Sequence, residues 1–479
     1  MQLERPLRYP DTGSKPLMDK RARWLVVLGF ALPGSAQLLA GNRRLGRFGL
    51  GATITLIVLG LLALAGVLFA RDLTLSILLN PIVLLVVQVL IVAYAVLWLV
   101  LGFDTLRLTR LVRVSTGWRV PIAVLSVVLT LLPVGAAAWA ATTVNAARGA
   151  IGEIFVNAAP SVDPVDGRYN ILLLGVDLGA DREGLRPDSI SLISVDAETG
   201  QSAMIGLPRE LVEMPFPETS PMYEVHPNGF CAGPNAFGEY GGCLTTGYLN
   251  AIYSEVEVVN DPQYSYLYEG MYPDAVSRGS SPGIEATKDA VAGATGLEVQ
   301  FYVLIDMHGF AALIDALGGV TVDVQVPIPV GGREDEVTGE WVDVAWWIEP
   351  GLQTLDGENA QWYARARHLT AGSDFDRMDR QRELQAAILA QMDPANVLLH
   401  FQEIAAAGSD LVKTDIPSSM LAYFVTLANK ARQFTPVTFN MTPPEVDQEF
   451  PDYDQIHALV AQTIAAATPV PETTEPVEE

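Results

Sequence analysis

Long apolar runs fill much of the first third of this 479-residue chain, and the apolar positions turn periodic after it. Three uncharged runs, Phe48 to Ala70, Leu73 to Phe103 and Val120 to Ala147, each exceed the roughly 20 residues with which a helix crosses a bilayer. They predict three transmembrane helices within residues 48–147. The second run would measure about 46 Å as one straight helix, more than a ~30 Å hydrocarbon core, and Asn80-Pro81 predicts a break or kink near its start. An earlier apolar stretch, Trp24 to Asn42, carries Pro33-Gly34-Ser35 in its middle and Gln37 after it, and is read as interfacial or re-entrant. These stretches are too long and too often repeated for a cleavable signal peptide.

Beyond residue 147 the pattern changes. Residues 148–168 read as a short stalk. "YNILLLGVD" (169–177) is a continuous apolar run and predicts a buried strand, "DSISLISVD" (188–196) alternates, and "SAMIGL" follows as a third strand after the turn "AETG". Residues 211–282 are irregular and rich in Pro, Gly, Tyr and acids, which predicts an insertion or lid. Order returns with helix "GIEATKDAVAGATG", strand "VQFYVLID", helix "MHGFAALIDALGG" and strand "VTVDVQVPI", then helices at "GENAQWYARARH", "FDRMDRQRELQAAILAQM", "PANVLLHFQEIAAA" and "SSMLAYFVTLANKARQ". "TPVTFNM" and "YDQIHALVAQTIAAA" predict a last strand and helix, and 468–479 an acidic tail without structure. This rhythm predicts an α/β (α+β layered) domain over 169–467, a central mixed sheet flanked by helices.

Charge divides the chain at the same boundary. Residues 1–140 hold 14 of the 30 Lys and Arg but only five acids, whereas the remainder holds 16 bases and 50 acids. Basic clusters at Arg5–Arg23, Arg43–Arg47 and "RLTRLVRVSTGWR" (107–119) all fall on the cytoplasmic side if there are three spans, which puts residues 1–47 inside and everything after about 147 outside. A broad basic surface for nucleic acid is missing from the acidic part.

Within that acidic part a few residue types stand out. Asp177 ends one strand and Asp188 begins the next, so a tight antiparallel connection brings both to one sheet edge. There they either hold Mg²⁺ (or Mn²⁺), which needs few protein ligands when phosphate and water supply the rest, or cap the turn. Arg186 shares that loop. Arg209 follows Pro208 at the exit of the third strand, as a presented cation or as a surface ion pair with Glu210 or Glu213. Five arginines crowd "YARARHLTAGSDFDRMDRQRELQ" (363–385). Arg377 and Gln381 share a helix face, and Arg365 and Arg367 converge if the chain is extended there. Planar guanidinium forks match phosphate oxygens, so two such pairs would grip a pyrophosphate. Alternatively they form an ion-pair lattice with Asp374, Asp376, Asp379 and Glu383, to which Arg382 is assigned. Cys231 and Cys243, outside the cell, are expected to pair. The five histidines lack zinc-ligand spacing, and GxSxG, SxxK and P-loop patterns are missing.

Seven blocks, "NILLLGVD", "RPDSISLISVD", "IGLPRE", "LNAIY", "FYVLIDMHGFAALIDALGGVTVDV", "GLQTLDGENAQWYARAR" and "SDFDRMDRQRE", resemble in that order the extracellular domain of the LytR-CpsA-Psr family. The resemblance implies a membrane enzyme that moves a glycopolymer from a polyprenyl-pyrophosphate-linked donor to a sugar hydroxyl of peptidoglycan, forming a phosphodiester, with Mg²⁺ as cofactor. It implies the metal on Asp177 and Asp188, and phosphate contacts from Arg186, Arg209, Arg365, Arg367, Arg377 and Gln381, with Asn250 in the matching "LN" block. Two positions depart from the family pattern: Tyr248 where a Lys is common, and Glu210 where Asp is usual. The competing classes are a hydrolase of the same lipid pyrophosphate and a non-catalytic wall-binding scaffold.

Overall fold

The computed structural model describes residues 7–468 except 79, 156–160, 177–184, 233–242, 244–245, 258–266, 336–337, 339, 367–372 and 392–411. Asp177 and Arg367 therefore lie outside the described residues, as do the helix expected at "PANVLLHFQEIAAA" and nearly all of the acidic tail. The chain forms two units, Met1–Arg148 and Gly149–Glu479.

The first unit is helical: α1 (Lys15–Ala31), α2 (Ser35–Ala40), α3 (Arg43–Phe69), α4 (Arg71–Leu78), α5 (Pro81–Thr109) and α6 (Thr116–Ile154). Among the described residues three helical stretches are long and apolar enough to cross a membrane: Arg43–Phe69, Pro81–Arg113 and Thr116–Gly149. The second apolar run is divided, because the Asn80 side chain caps α5 by accepting from Ile82 N and Val83 N while Pro81 takes the first helical position. The α1–α2 break falls at Leu32-Pro33-Gly34. Gly34 has φ +96°, and a Cβ there would stand 2.5 Å from Leu50 N and 2.6 Å from Gly46 O, so only glycine lets these backbones touch. Several buried polar side chains in this unit are hydrogen-bonded across its helices. Gln37 donates to Leu101 O (2.8 Å) and Thr105 Oγ1 (3.0 Å). Asp19 accepts from Ser115 N and Oγ, and Arg21 donates to Leu108 O. The stalk expected at 148–168 begins inside a helix, since α6 continues to Ile154; one arginine in "NAARGAIGEI" does not stop a segment of good helix formers.

The second unit is built on a mixed six-stranded sheet in the order β10-β3-β2-β1-β4-β9. Its strands are β1 (Arg168–Val176), β2 (Pro187–Asp196), β3 (Ser202–Leu207), β4 (Phe301–Asp306), β9 (Val412–Thr414) and β10 (Val437–Asn440). β1–β2–β3 is an antiparallel meander, while β4 joins β1 and β10 joins β3 in parallel. Alternation along the strands sends Leu172, Leu174, Ile190, Leu192, Ile205 and Leu207 into the main core with residues of α9 (Pro282–Thr295) and α14 (Tyr453–Ala466). A second core lies where α10 (Met307–Ala316), α11 (Gly357–Arg365) and α12 (Ser373–Gln391) meet the pairs β5 (Val320–Val324) with β8 (Gly351–Leu355) and β6 (Ile328–Glu334) with β7 (Trp341–Ile348). "VTVDVQVPI" is thus two strands with different partners rather than one, parted before Ile328 where Pro327 withholds a ladder donor. α13 (Leu421–Ala431) packs in a smaller cluster with Tyr169 and Phe301.

The described part of 211–282, expected as an insertion or lid, contributes to the core. Leu211, Met214, Phe216, Met222, Phe230, Leu249, Ile252 and Tyr268 all belong to the main core. Two short helices, α7 (Pro221–Val225) and α8 (Ile252–Glu257), lie within it, and Cys231 and Cys243 form a disulfide with Cα atoms 5.6 Å apart. Aperiodic apolar residues gave no pattern to read, yet they bury as fully as strand residues.

Candidate functional site

Strand register builds the site. Ile190 on β2 pairs with Leu207 on β3 in antiparallel register. Two residues further, Asp188 and Arg209 stand across from each other, and Arg209 Nη1 donates to Asp188 Oδ1 at 2.6 Å. Arg209 Nη2 also donates to Glu210 Oε1 at 2.8 Å. Val176, the last residue of β1, faces Pro187, which precedes Asp188. Asn250, on the 3₁₀ turn Leu249–Ala251, is buried and donates its backbone N–H to Arg209 O, steadying the arginine's main chain.

α12 supplies the other wall. Residues 377, 378, 381 and 382 form one helical face, and they close a cleft with Asp188, Ser189, Ser191, Gly206 and Arg209. The structure thus brings Asp188, Arg209, Arg377 and Gln381 to one place. Arg186 and Arg365 are exposed and are not among the cleft walls. Arg382, assigned from sequence to an ion-pair lattice, lines this cleft as well as lying 3.4 Å from Asp379. Burial pushes its guanidinium down to about 10, against the opposing pull of Asp379.

Sequence reasoning set Arg380 beside Arg377 and Gln381 on one helix face but missed its role. α11 is capped at its start by Asp356, which accepts from Asn359 N, and it ends at Arg365, after which Ala366 is extended (φ −54°, ψ 131°). The carbonyls left open at that end are taken up by α12: Arg380 donates from Nε to Tyr363 O (2.9 Å) and from Nη2 to Ala366 O, while Gln381 Nε2 donates to Ala364 O (3.1 Å). Gln381 therefore spends part of its amide on backbone rather than offering it whole to a ligand. Tyr363 closes the joint by donating to Glu383 at 2.5 Å. Nothing local in the sequence marked that role of Arg380, because its acceptors are backbone atoms at the end of another helix.

Among the described residues no three His, Cys, Asp or Glu side chains converge as a metal cage. Asp188 is half-exposed and already held by Arg209, and Ser189 and Ser191 are the nearby hydroxyls. That set fits a divalent ion only in the mode where phosphate oxygens and water supply most ligands.

A mixed sheet whose antiparallel edge sets an Asp–Arg pair under an arginine-bearing helix defines the kind of protein. Residues 140–462, more than half of the chain, match the LytR_cpsA_psr family, and the protein belongs to that family. It is 25% identical over 317 residues to Biofilm regulatory protein A of Streptococcus mutans, covering 63% of this chain and 64% of that one. It is 24% identical over 342 residues to cell wall biosynthesis protein LcpA of Corynebacterium glutamicum, covering 68% and 58%. The chain thus spans less than two thirds of the length of either relative. Over 137 residues it is 30% identical to the polyisoprenyl-teichoic acid–peptidoglycan teichoic acid transferase TagV of Bacillus subtilis, covering 29% and 34%. The crystal structure of B. subtilis TagV superposes with a TM-score of 0.42 at 21% identity, covering 64% of this chain and all of that one.

Proposed function

We propose that this protein is a membrane-anchored phosphotransferase that moves a glycopolymer from a polyprenyl-pyrophosphate donor to a sugar hydroxyl of peptidoglycan. The observation that carries the reading is the cleft in which Asp188, Arg209 and Arg377 converge within a strongly acidic unit. Relatives named as teichoic acid transferases support the reaction class. The acceptor oxygen forms a bond to the sugar-side phosphorus, the P–O–P bridge breaks, and polyprenyl phosphate leaves with the electron pair. Arg209 and Arg377 bind the phosphoryl oxygens, with Arg365 and Arg367 as the further contacts that the family resemblance implies, and offset the charge that builds on the leaving group. The hydroxyl proton passes to a carboxylate, Asp188 at the start of β2 or Asp177. Mg²⁺ held by the same two carboxylates would neutralise the pyrophosphate. Three apolar helices would set the protein in the plasma membrane with the acidic unit outside, where donor and acceptor both lie.

The test is incubation of the full-length chain with lipid-pyrophosphate-linked glycan, with and without peptidoglycan oligomers. Glycan joined to the oligomer, with lipid phosphate released in step, is the expected result. Lipid phosphate release unaffected by acceptor would make the protein a hydrolase. No turnover with either would leave a wall-binding scaffold.

A further inference from the structure

The cleft floor has a row of residues set by register. Ser191 on β2, Gly206 on β3 and Asn440 on β10 are direct partners, so all three point to the same side of the sheet. Arg382 lies across the middle of that row. A Cβ at Gly206 would stand 2.1 Å from Arg382 Nη1, 2.9 Å from its Cζ and 2.9 Å from Asn440 Oδ1. Any other residue in β3 would therefore push the guanidinium aside. The arginine is only 5% exposed. Yet among the described residues its Nη1 meets no acceptor, and Asn440 Oδ1, in the same row, meets no donor. Asp379 takes the amide nitrogen of Asn440, which fixes the orientation of that amide. A buried guanidinium with an unused N–H costs free energy unless something completes it. An arginine serving only as a brace would aim that donor at a carbonyl, as Arg380 does.

We infer that Arg382, cradled by Gly206, is an inner anion-binding residue of the cleft that takes a phosphoryl oxygen beyond those reached by Arg209 and Arg377; this rests on the phosphotransfer reading above. The depressed affinity of its guanidinium for a proton has the same origin, a buried cation short of acceptors. A phosphoryl group entering the cleft supplies the acceptor and restores the balance of charge. Gly206 is then a functional glycine: its missing side chain is the space the cation occupies.

Titration of inorganic pyrophosphate into the full-length chain in detergent, followed by calorimetry, tests this. Arg382→Gln and Gly206→Ala are each expected to weaken binding tenfold or more, and Arg382→Lys by less, with the thermal midpoint held within a few degrees. Should Arg382→Gln not fold, Gly206→Ala and Arg382→Lys carry the comparison, since the alanine displaces only the tip of a flexible side chain. If Arg377→Gln weakens binding while the Arg382 and Gly206 variants bind within twofold of wild type, Arg382 is a brace between α12 and β3 and the inference falls alone. If the wild-type chain takes up no pyrophosphate, the phosphotransfer reading falls with it.

Discussion

Two of the buried cations in the acidic unit, Lys288 and Arg382, are finished differently. Lys288 on α9 has three N–H donors and three acceptors: Glu285 Oε1 at 3.2 Å, Gln300 O at 3.1 Å and Asp415 Oδ2 at 2.9 Å. Asp415 in turn accepts from Tyr302 N, so the knot ties α9 to the chain beside β4 and β9. Burial pushes the Asp415 carboxyl up, and Lys288 pulls it back down. In the cleft, Arg382 has only a long contact to Asp379 and an Nη1 with no acceptor among the described residues. The knot is complete without help, as a structural ion pair must be. The cleft keeps donors in hand, which is what a site for a polyanion requires.

Breaking the knot should have the largest effect. Lys288→Met leaves the buried Asp415 without its cation and Glu285 with Arg278 alone, and is expected to cost about 3–5 kcal/mol of stability, read from denaturant unfolding of the full-length chain. A loss under about 1 kcal/mol would erase the distinction between the two places. Arg377→Ala should do the reverse, with transfer falling about a hundredfold, near 3 kcal/mol of transition-state stabilisation, while the unfolding midpoint barely moves. Arg380→Met sits between them. It frees the carbonyls of Tyr363 and Ala366, so about 1–3 kcal/mol of stability should go, with transfer down roughly tenfold as Arg365 loses its fixed base. Arg380→Lys should not restore either, because one ammonium cannot reach both carbonyls as a guanidinium fork does.

At pH 7 itself the smallest effect is expected from a buried group that, unlike the knot, stays uncharged. His226 bonds Tyr268, whose hydroxyl donates to Glu255, and burial lowers the imidazole from 6.5 to about 4. Between those values the unfolded chain binds a proton that the native state refuses. Stability is therefore full above pH 6.5 and falls as pH drops toward 4, by up to about 3 kcal/mol. Thermal midpoints across that window should show the slope in wild type and lose it in His226→Gln.

Much of this was legible in the chain, residue by residue. The uncharged runs named the apolar helices because hydrocarbon tolerates no other pattern. Alternation in "DSISLISVD" and the strand "SAMIGL" placed Asp188 at the start of one strand and Arg209 at the exit of the next, while their pairing across the two strands came only with the fold. Other features left no local trace. The strand "WVDVAWWI" was not read at all, and β5 and β6 were read as one, because pairing partners rather than propensity decide where a strand divides. Residues 211–282 looked like a loop because their apolar side chains follow no period.

By itself, then, the sequence determined which segments leave water, which strands alternate, and which polar residues stand at their ends, since those follow from covalent neighbours and side-chain type. Tertiary structure alone decided that Arg380 caps a helix while Arg382, two positions on, lies across Gly206 in the cleft. The reason is geometric: successive residues on a helix point in different directions, and only the packing of α12 on β3 says what each direction meets.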